Sequence, residues 1–544
     1  MKTRFGFLLP LVVAAACASP PASAPTPQAP APAADPSPAP AAPAPPATIE
    51  PLTEAPREWQ LLDLQEDRVP GTSATRAYRE LLAGRSPERT VVVAVIDGGV
   101  DTAHVDLRDV LWTNPDETPG NDRDDDGNGY VDDVHGWNFI GGPDGRNVDE
   151  ETFEVTRLQA ACQAGESAPE GTTCEDVATA YEERSQEVEW TLAQVQQIGD
   201  ALDIIMPILR SQLDGAEPTP ENVRGIQSTS QEVVQAKTIF LQLDQAGLPP
   251  AEVQEAREAY QDMYDYGLNL SFNPRDIVGD DLDDGSERVY GNADVTGPDA
   301  SHGTHVAGII AAERGNGIGI DGIAAGVRLM IVRAIPNGDE RDKDVANAIR
   351  YAVDEGADII NMSFGKAFSP RKSLVDDAVR YADEHGVLMI HAAGNDGDDI
   401  DVVPSFPTRT YEDGGAAADW IEVGAANWDV QSLAATFSNY GQQRVDIFAP
   451  GVAILSTVPG NEFDLNDGTS MAAPVVTGVA ALLMAYFPDL TAADVKQIVL
   501  DSAVRFGDRV VPTPGQGPRV PFGTLSVTGG VVNAYEAVKA AEAR

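Results

Sequence analysis

Val91-Val-Val-Ala-Val-Ile-Asp97-Gly-Gly99 is an unbroken apolar, β-branched run that ends on a carboxylate and two glycines. With no polar residue alternating along it, the run predicts a strand buried on both faces, as in a parallel sheet. A carboxylate at the carboxyl end of such a strand stands on the edge where open α/β sheets bind ligands. Ala357-Asp-Ile-Ile-Asn-Met-Ser-Phe-Gly365 and Val387-Leu-Met-Ile-His-Ala-Ala-Gly-Asn395 repeat the pattern and end on the same edge. Further strands are expected over 328–334 and 419–425, with amphipathic helices over 344–355 and 372–385. This alternation implies an α/β class: a three-layer, doubly wound, mostly parallel sheet.

Gly468-Thr-Ser-Met-Ala-Ala-Pro474 leads into a helical run over 475–486. A Ser framed by small residues at a helix start meets backbone N–H groups and the positive end of the dipole, where an oxyanion would be stabilised. Gly468 leaves room for a substrate backbone. Pro474 falls near the helix start, where a missing N–H costs least. Taken alone, Ser470 reads as a helix N-cap. Ser301-His-Gly-Thr-His-Val-Ala-Gly308 changes that reading. His302 stands between a polar loop and the small, apolar run 306–312, a helix buried through small residues. A carboxylate, an imidazole and a hydroxyl, each closing or opening its own element, suit nucleophilic catalysis by Ser.

With Asp97, His302 and Ser470 in that chain order, each in its own motif, the chain resembles a subtilisin-type serine protease, a subtilase of the peptidase S8 family. The resemblance covers 91–144 and 276–541. It implies a serine endopeptidase acting on protein or peptide substrates through an acyl-enzyme. Ser470 would be the nucleophile, His302 the base and Asp97 its orienting carboxylate. The Asn395 side chain and the Ser470 N–H would be the oxyanion donors, and His305 a structural helix residue. Ser363, Phe364 and Gly365 match the segment that pairs with an extended substrate. Phe364 stands where Leu is frequent, and Phe406-Pro407 resembles the family's aromatic-Pro step beside the S1 pocket, a candidate cis bond. A hydrophobic or mixed P1 preference follows. The competing readings are a catalytically silent subtilase fold serving as a binding scaffold, and an esterase. The esterase lacks a Gly-x-Ser-x-Gly elbow at Ser470.

Asn121-Asp-Arg-Asp-Asp-Asp-Gly-Asn-Gly-Tyr-Val-Asp-Asp133 alternates oxygen ligands with glycines, a composition suited to Ca²⁺. Two registers fit: Asp122, Asp124 and Asp126, or Asp124, Asp126 and Asn128 closed by the Tyr130 carbonyl and Asp133. Subtilases with an Asp-Asp-Gly-Asn-Gly loop carry such a calcium site, so the resemblance favours the second. Asp280-Asp-Leu-Asp-Asp284 reads as another site or as a surface turn.

The chain carries 86 acidic against 37 basic residues, a net charge of −49, which argues against a nucleic-acid partner. Lys2 and Arg4 precede an apolar stretch over 5–16, too short to span a bilayer. It reads as a signal peptide, residues 1–17, of the lipoprotein type, with Cys17 as the lipidation site; cleavage after Ala18 or Ala24 is the alternative. A Pro/Ala-rich tether, 18–50, follows. Export to a bacterial periplasm or cell surface is the corresponding expectation, with membrane contact only through that lipid. The remaining cysteines, Cys162 and Cys174, are expected to pair in such a compartment.

The catalytic domain is then expected in two parts, 51–146 and 275–544, ending with a closing segment at Gly529-Gly-Val-Val-Asn-Ala534 and no further domain. The stretch 52–89 is short for a folding prodomain. Between the two parts, 147–274 reads as an all-helical insertion. Val188, Leu192, Val195, Ile198, Leu202 and Ile205 recur at three- and four-residue steps. Thr219-Pro-Glu reads as a helix start, and another helix is expected from Pro250 to about Tyr266.

Overall fold

The computed structural model describes residues 52–169 and 171–544; the expected leader, Cys17 and the Pro/Ala-rich stretch lie outside them. Its strands are β1 (Val91–Asp97), β2 (Gly136–Asn138), β3 (Val327–Arg333), β4 (Ile359–Met362), β5 (Leu388–Ala392), β6 (Trp420–Ala426), β7 (Ile447–Pro450), β8 (Ile454–Val458), β9 (Glu462–Asn466), β10 (Val504–Arg505), β11 (Val510–Pro512), β12 (Arg519–Pro521) and β13 (Gly530–Val531). Nine form one sheet, ordered β2-β3-β1-β4-β5-β6-β7-β13-β10 and parallel except where β10 meets β13. The expected strands are all present, shifted by up to three residues at their ends. β1 is buried except at Val92, and β4, β5 and β6 are buried along their length, as continuous apolar runs require.

The helices are α1 (Ala74–Glu80), α2 (Glu154–Ala164), α3 (Cys174–Gln212), α4 (Pro220–Gly225), α5 (Gln231–Gln245), α6 (Pro250–Asp262), α7 (Ser301–Ala311), α8 (Asp342–Asp354), α9 (Lys372–Glu384), α10 (Thr469–Tyr486), α11 (Ala492–Asp501) and α12 (Ala534–Glu542). One sheet face packs on α7, α10, α11 and α12, the other on α8 and α9, which gives the three layers. Residues 52–89 join the first of these cores through Trp59, Leu61, Val69 and α1 rather than standing apart. Among the described helices, α10 alone is long and apolar enough to cross a membrane, and 94% of it is buried inside the protein.

α10 begins at Thr469, six residues before the run expected from sequence. Pro474 therefore sits inside the helix, where it cannot donate to the Ser470 carbonyl one turn back. That carbonyl accepts from the Ser363 hydroxyl instead, at 2.9 Å.

The helices α2 to α6 share a core of their own, and the six residues picked out by helical spacing are all in it. They lie on α3, a single helix of 39 residues. Thr219 caps α4 through a reciprocal bond pair with Asn222, with Pro220 at the first helical position. α6 runs on into one wide turn, Met263–Gly267. A disulfide, Cys162 to Cys174, ties the end of α2 to the start of α3.

Candidate active site

The chain runs from β1 out to β2 and β3, then crosses back to lay β4 on the other flank of β1. Where strand order reverses this way, the carboxyl ends of the two strands leave a crevice. Register aligns those ends: Ile96 lies opposite Met362, and Met362 opposite His391. Asp97, Ser363 and Asn395 accordingly come to one edge.

His302 stands on the first turn of α7. A Cβ on Gly303 would fall 2.2 Å from the Gly99 carbonyl and 3.1 Å from Asp97 Cβ, so only glycine lets α7 sit this close to the end of β1. Across that contact His302 Nδ1 bridges both Asp97 oxygens, at 2.9 and 3.0 Å. The carboxylate is 3% exposed while the imidazole remains 46% exposed. Burial disfavours the imidazolium, but attraction to Asp97 outweighs it and raises the His302 pKa above the ordinary value. His305, one turn on, is wholly buried, with Nε2 within reach of the Ile454 and Asp464 carbonyls; burial holds it neutral, its pKa lowered to about 4.

Ser470 is the second residue of α10, where no carbonyl lies one turn back to accept its N–H. Its Oγ donates to the Ser363 carbonyl at 3.1 Å, and no hydrogen bond joins it to His302. The Ser363 hydroxyl also accepts from Asn361, whose Oδ1 takes the Thr477 hydroxyl. The end of β4 is thereby fixed to α10. Beyond Ser363, Phe364 is half-buried and Gly365 exposed. Phe406 and Pro407 are joined by a cis bond, and the Phe406 backbone exchanges two hydrogen bonds with Lys366.

Asn395 follows β5 and accepts from the backbone and hydroxyl of Thr469, each at 2.9 Å, through Oδ1. Its Nδ2 is thus directed elsewhere. Gly468 has φ 156°, and a Cβ there would lie 3.5 Å from Ser470 N and 3.7 Å from Asn395 Nδ2. Two donor nitrogens, with Met471 Sδ at 3.5 Å, therefore border the space that a side chain at 468 would fill. Asn439 holds this loop, giving its Nδ2 to the Ala393 carbonyl and taking the Asp396 and Asp398 N–H groups on Oδ1. Neither Asn439 nor the Thr469 clamp was found from sequence. Asn439 lies in an unpatterned loop, whereas Thr469 was inside the quoted heptad.

Around the acidic loop, Glu117, Asp124 and Asp126 bring carboxylate oxygens within 4.8 Å of one another. Glu117 Oε2 is buried without a hydrogen-bond partner. Asn128 points its amide nitrogen toward Asp126, Asp133 and Glu355, and its Oδ1 accepts from the Tyr130 N–H. Asp133 is fully buried and also accepts from Tyr351 at 2.7 Å. Burial first, then the nearby Asp133 and Asp126 charges, push Glu355 up to about 7. Sequence reading found the loop but neither Glu117 nor Glu355, which arrive from outside it. In the later acidic stretch Asp280 pairs with Arg275 and Lys343, so that carboxylate is committed to an internal ion pair.

The model of the subtilase family matches residues 88–524. A "Thermophilic serine proteinase" of Bacillus sp. (strain AK1) is 45% identical over 184 residues, 34% of this chain and 42% of that protein. "Subtilisin NAT" of Bacillus subtilis subsp. natto is 37% identical over 212 residues, 38% of this chain and 52% of its own. The chain thus spans about half the length of the curated relatives it matches. A solved structure, of proteases from Pseudoalteromonas arctica PAMC 21717, covers 89% of this chain and 97% of its own, at 18% identity and TM-score 0.46.

Proposed function

The chain belongs to the subtilase family, and on that premise we propose that it is a serine endopeptidase hydrolysing peptide bonds in proteins or peptides. The observation that carries this reading is the buried Asp97 carboxylate bridged by His302 Nδ1 at 2.9 and 3.0 Å. That bond fixes the tautomer and makes Nε2 the ring nitrogen that can act as a base. Ser470 Oγ leaves the Ser363 carbonyl by rotation about its Cα–Cβ bond, gives its proton to His302 and attacks the scissile carbonyl. The imidazolium so formed is stabilised by Asp97 and returns the proton to the leaving amine. As the carbonyl oxygen becomes an anion it enters the space beside Gly468, where Asn395 Nδ2 and the Ser470 N–H donate to it. Water then reverses the sequence to free the acyl group. Ser363, Phe364 and Gly365 pair with the extended substrate backbone.

Calcium belongs to the proposal as a structural ion. The donor set fits: hard carboxylate oxygens, one of them buried and unpartnered on Glu117, cluster in a tight loop. Asp124, Asp126 and Glu117 would hold it, with Asn128, the Tyr130 carbonyl and Asp133 as the other members of the expected set. Its charge would offset the repulsion among these groups. Export is proposed as well. It is supported by the disulfide, a feature of oxidising compartments, and by the sequence around Cys17.

Hydrolysis of casein and of peptide anilides by the wild type and by Ser470→Ala tests the reading. A loss on the order of 10⁶-fold is expected, the size measured for the nucleophile of a subtilisin rather than one deduced for this chain. Equal rates for both proteins would remove Ser470 from the chemistry.

A further inference from the structure

Lys366 follows the substrate-pairing segment directly, yet its side chain is only 2% exposed. Lysine is almost never buried unless paired, and this one is paired with two carboxylates. The ammonium donates to Glu154 Oε2 at 2.9 Å and to the Glu340 carbonyl at 2.6 Å, and forms an ion pair with Asp342 Oδ1 at 2.8 Å. Asp342 is the first residue of α8 in the catalytic core, whereas Glu154 is the first residue of α2, at the entry to the helical insertion. Glu154 is itself held: Arg157 reaches its Oε2 at 2.6 Å, and its backbone N–H donates to Asp339 at 2.8 Å. Two residues beyond Lys366, Phe368 packs against the insertion's own core. At its other end the same segment is fastened to Ser470, through the two Ser363 contacts described above. The substrate-pairing segment is thus strung between the nucleophile's helix and the insertion.

We propose that Lys366 is a positioning residue: its buried ammonium ties Ser363–Gly365 to Glu154 of the insertion, so that the insertion sets where an extended substrate backbone lies. This rests on the endopeptidase reading. Shape and charge agree. The planar peptide edge of Gly365 is one residue from a buried anchor, whose ammonium has three oxygens within 2.9 Å. Burial works against both charges, but Lys366 and Arg157 hold Glu154 down to about 2, and the surrounding carboxylates raise Lys366 above the usual lysine range. The pair is therefore charged wherever a neutral or alkaline protease would work. A residue acting this way touches no reacting atom. Its loss moves the wall on which several substrate residues pair and leaves the reactivity of Ser470 alone.

Glu154→Gln and Lys366→Met are compared with wild type in three assays. These are labelling of Ser470 by a small phosphonofluoridate, hydrolysis of a one-residue ester, and hydrolysis of a tetrapeptide anilide. A misplacement of the wall by even an ångström is expected to raise KM for the tetrapeptide about 10- to 100-fold. Labelling rate and ester KM are expected to stay within about twofold, because neither ligand uses the wall. Glu154→Gln keeps the side chain's shape, so it carries the test should Lys366→Met not fold. Unchanged tetrapeptide KM in a folded Glu154→Gln protein overturns the proposal. So does a parallel fall in all three assays together with the melting temperature, which marks a merely structural pair. If the wild type is neither labelled nor active on either substrate, the endopeptidase reading falls instead.

Discussion

Ser470 owes its setting to neighbours that do no chemistry. Pro474 withholds the N–H that would have closed the first turn of α10, the Ser363 hydroxyl donates to the freed carbonyl, and the proposed substrate-pairing segment is drawn to Ser470. Gly468 keeps the space beside the two proposed oxyanion donors empty. Replacing Asn395 by Ala is expected to lower kcat about 10²–10³-fold with KM little changed, the range known from such a donor in a subtilisin. Steady-state kinetics on a peptide anilide checks this. In the proposed mechanism His302 must be neutral to accept the Ser470 proton, and Asp97 raises its pKa. The kcat/KM profile should therefore rise with pH through a midpoint above that of a free imidazole. Asp97→Asn should move that midpoint down while costing about 10⁴-fold in kcat, the effect of this exchange in a related triad.

At the scale of elements, the acidic loop and the α2 junction respond oppositely to pH. Glu355 has its carboxyl raised to about 7 in the folded protein. A raised carboxyl binds more protons folded than unfolded, so it costs stability increasingly as pH climbs from about 4.5 toward 7. A bound cation relieves that repulsion. Chelation is thus expected to lower the melting temperature more at pH 8 than at pH 5, and calorimetry in calcium and in chelator reads the difference. Glu154 is depressed to about 2, so its contribution is complete above about 4.5 and is lost as pH falls toward 2. The loop was legible because its ligands are consecutive. Glu355 was not, because it reaches Asn128 from 227 residues away. The Lys366–Glu154 pair spans 212 residues and carries no local pattern at either end. The start of α10 was misread for a related reason: Thr-Ser-Met-Ala-Ala has no apolar period, and its helix is imposed by tertiary packing.

For the whole molecule, the legible parts are those where burial writes a repeat into the chain. β1, β4 and β5 are buried on both faces and read as unbroken apolar runs; α3 buries one stripe and reads at helical spacing. What sequence left open was how the insertion meets the catalytic core, because that junction is made by single charged residues from distant segments. The architecture that results is a subtilase core with a helical body joined to its proposed substrate wall, and a proposed nucleophile whose partners come from β1, α7 and β5. The direct test of that arrangement is intact-mass analysis after treatment with a phosphonofluoridate, followed by peptide mapping. One adduct per chain on Ser470, lost in Ser470→Ala and strongly slowed in His302→Ala, is the expected result. A native, calcium-loaded protein that takes up no adduct, or takes it at another residue, would contradict the account.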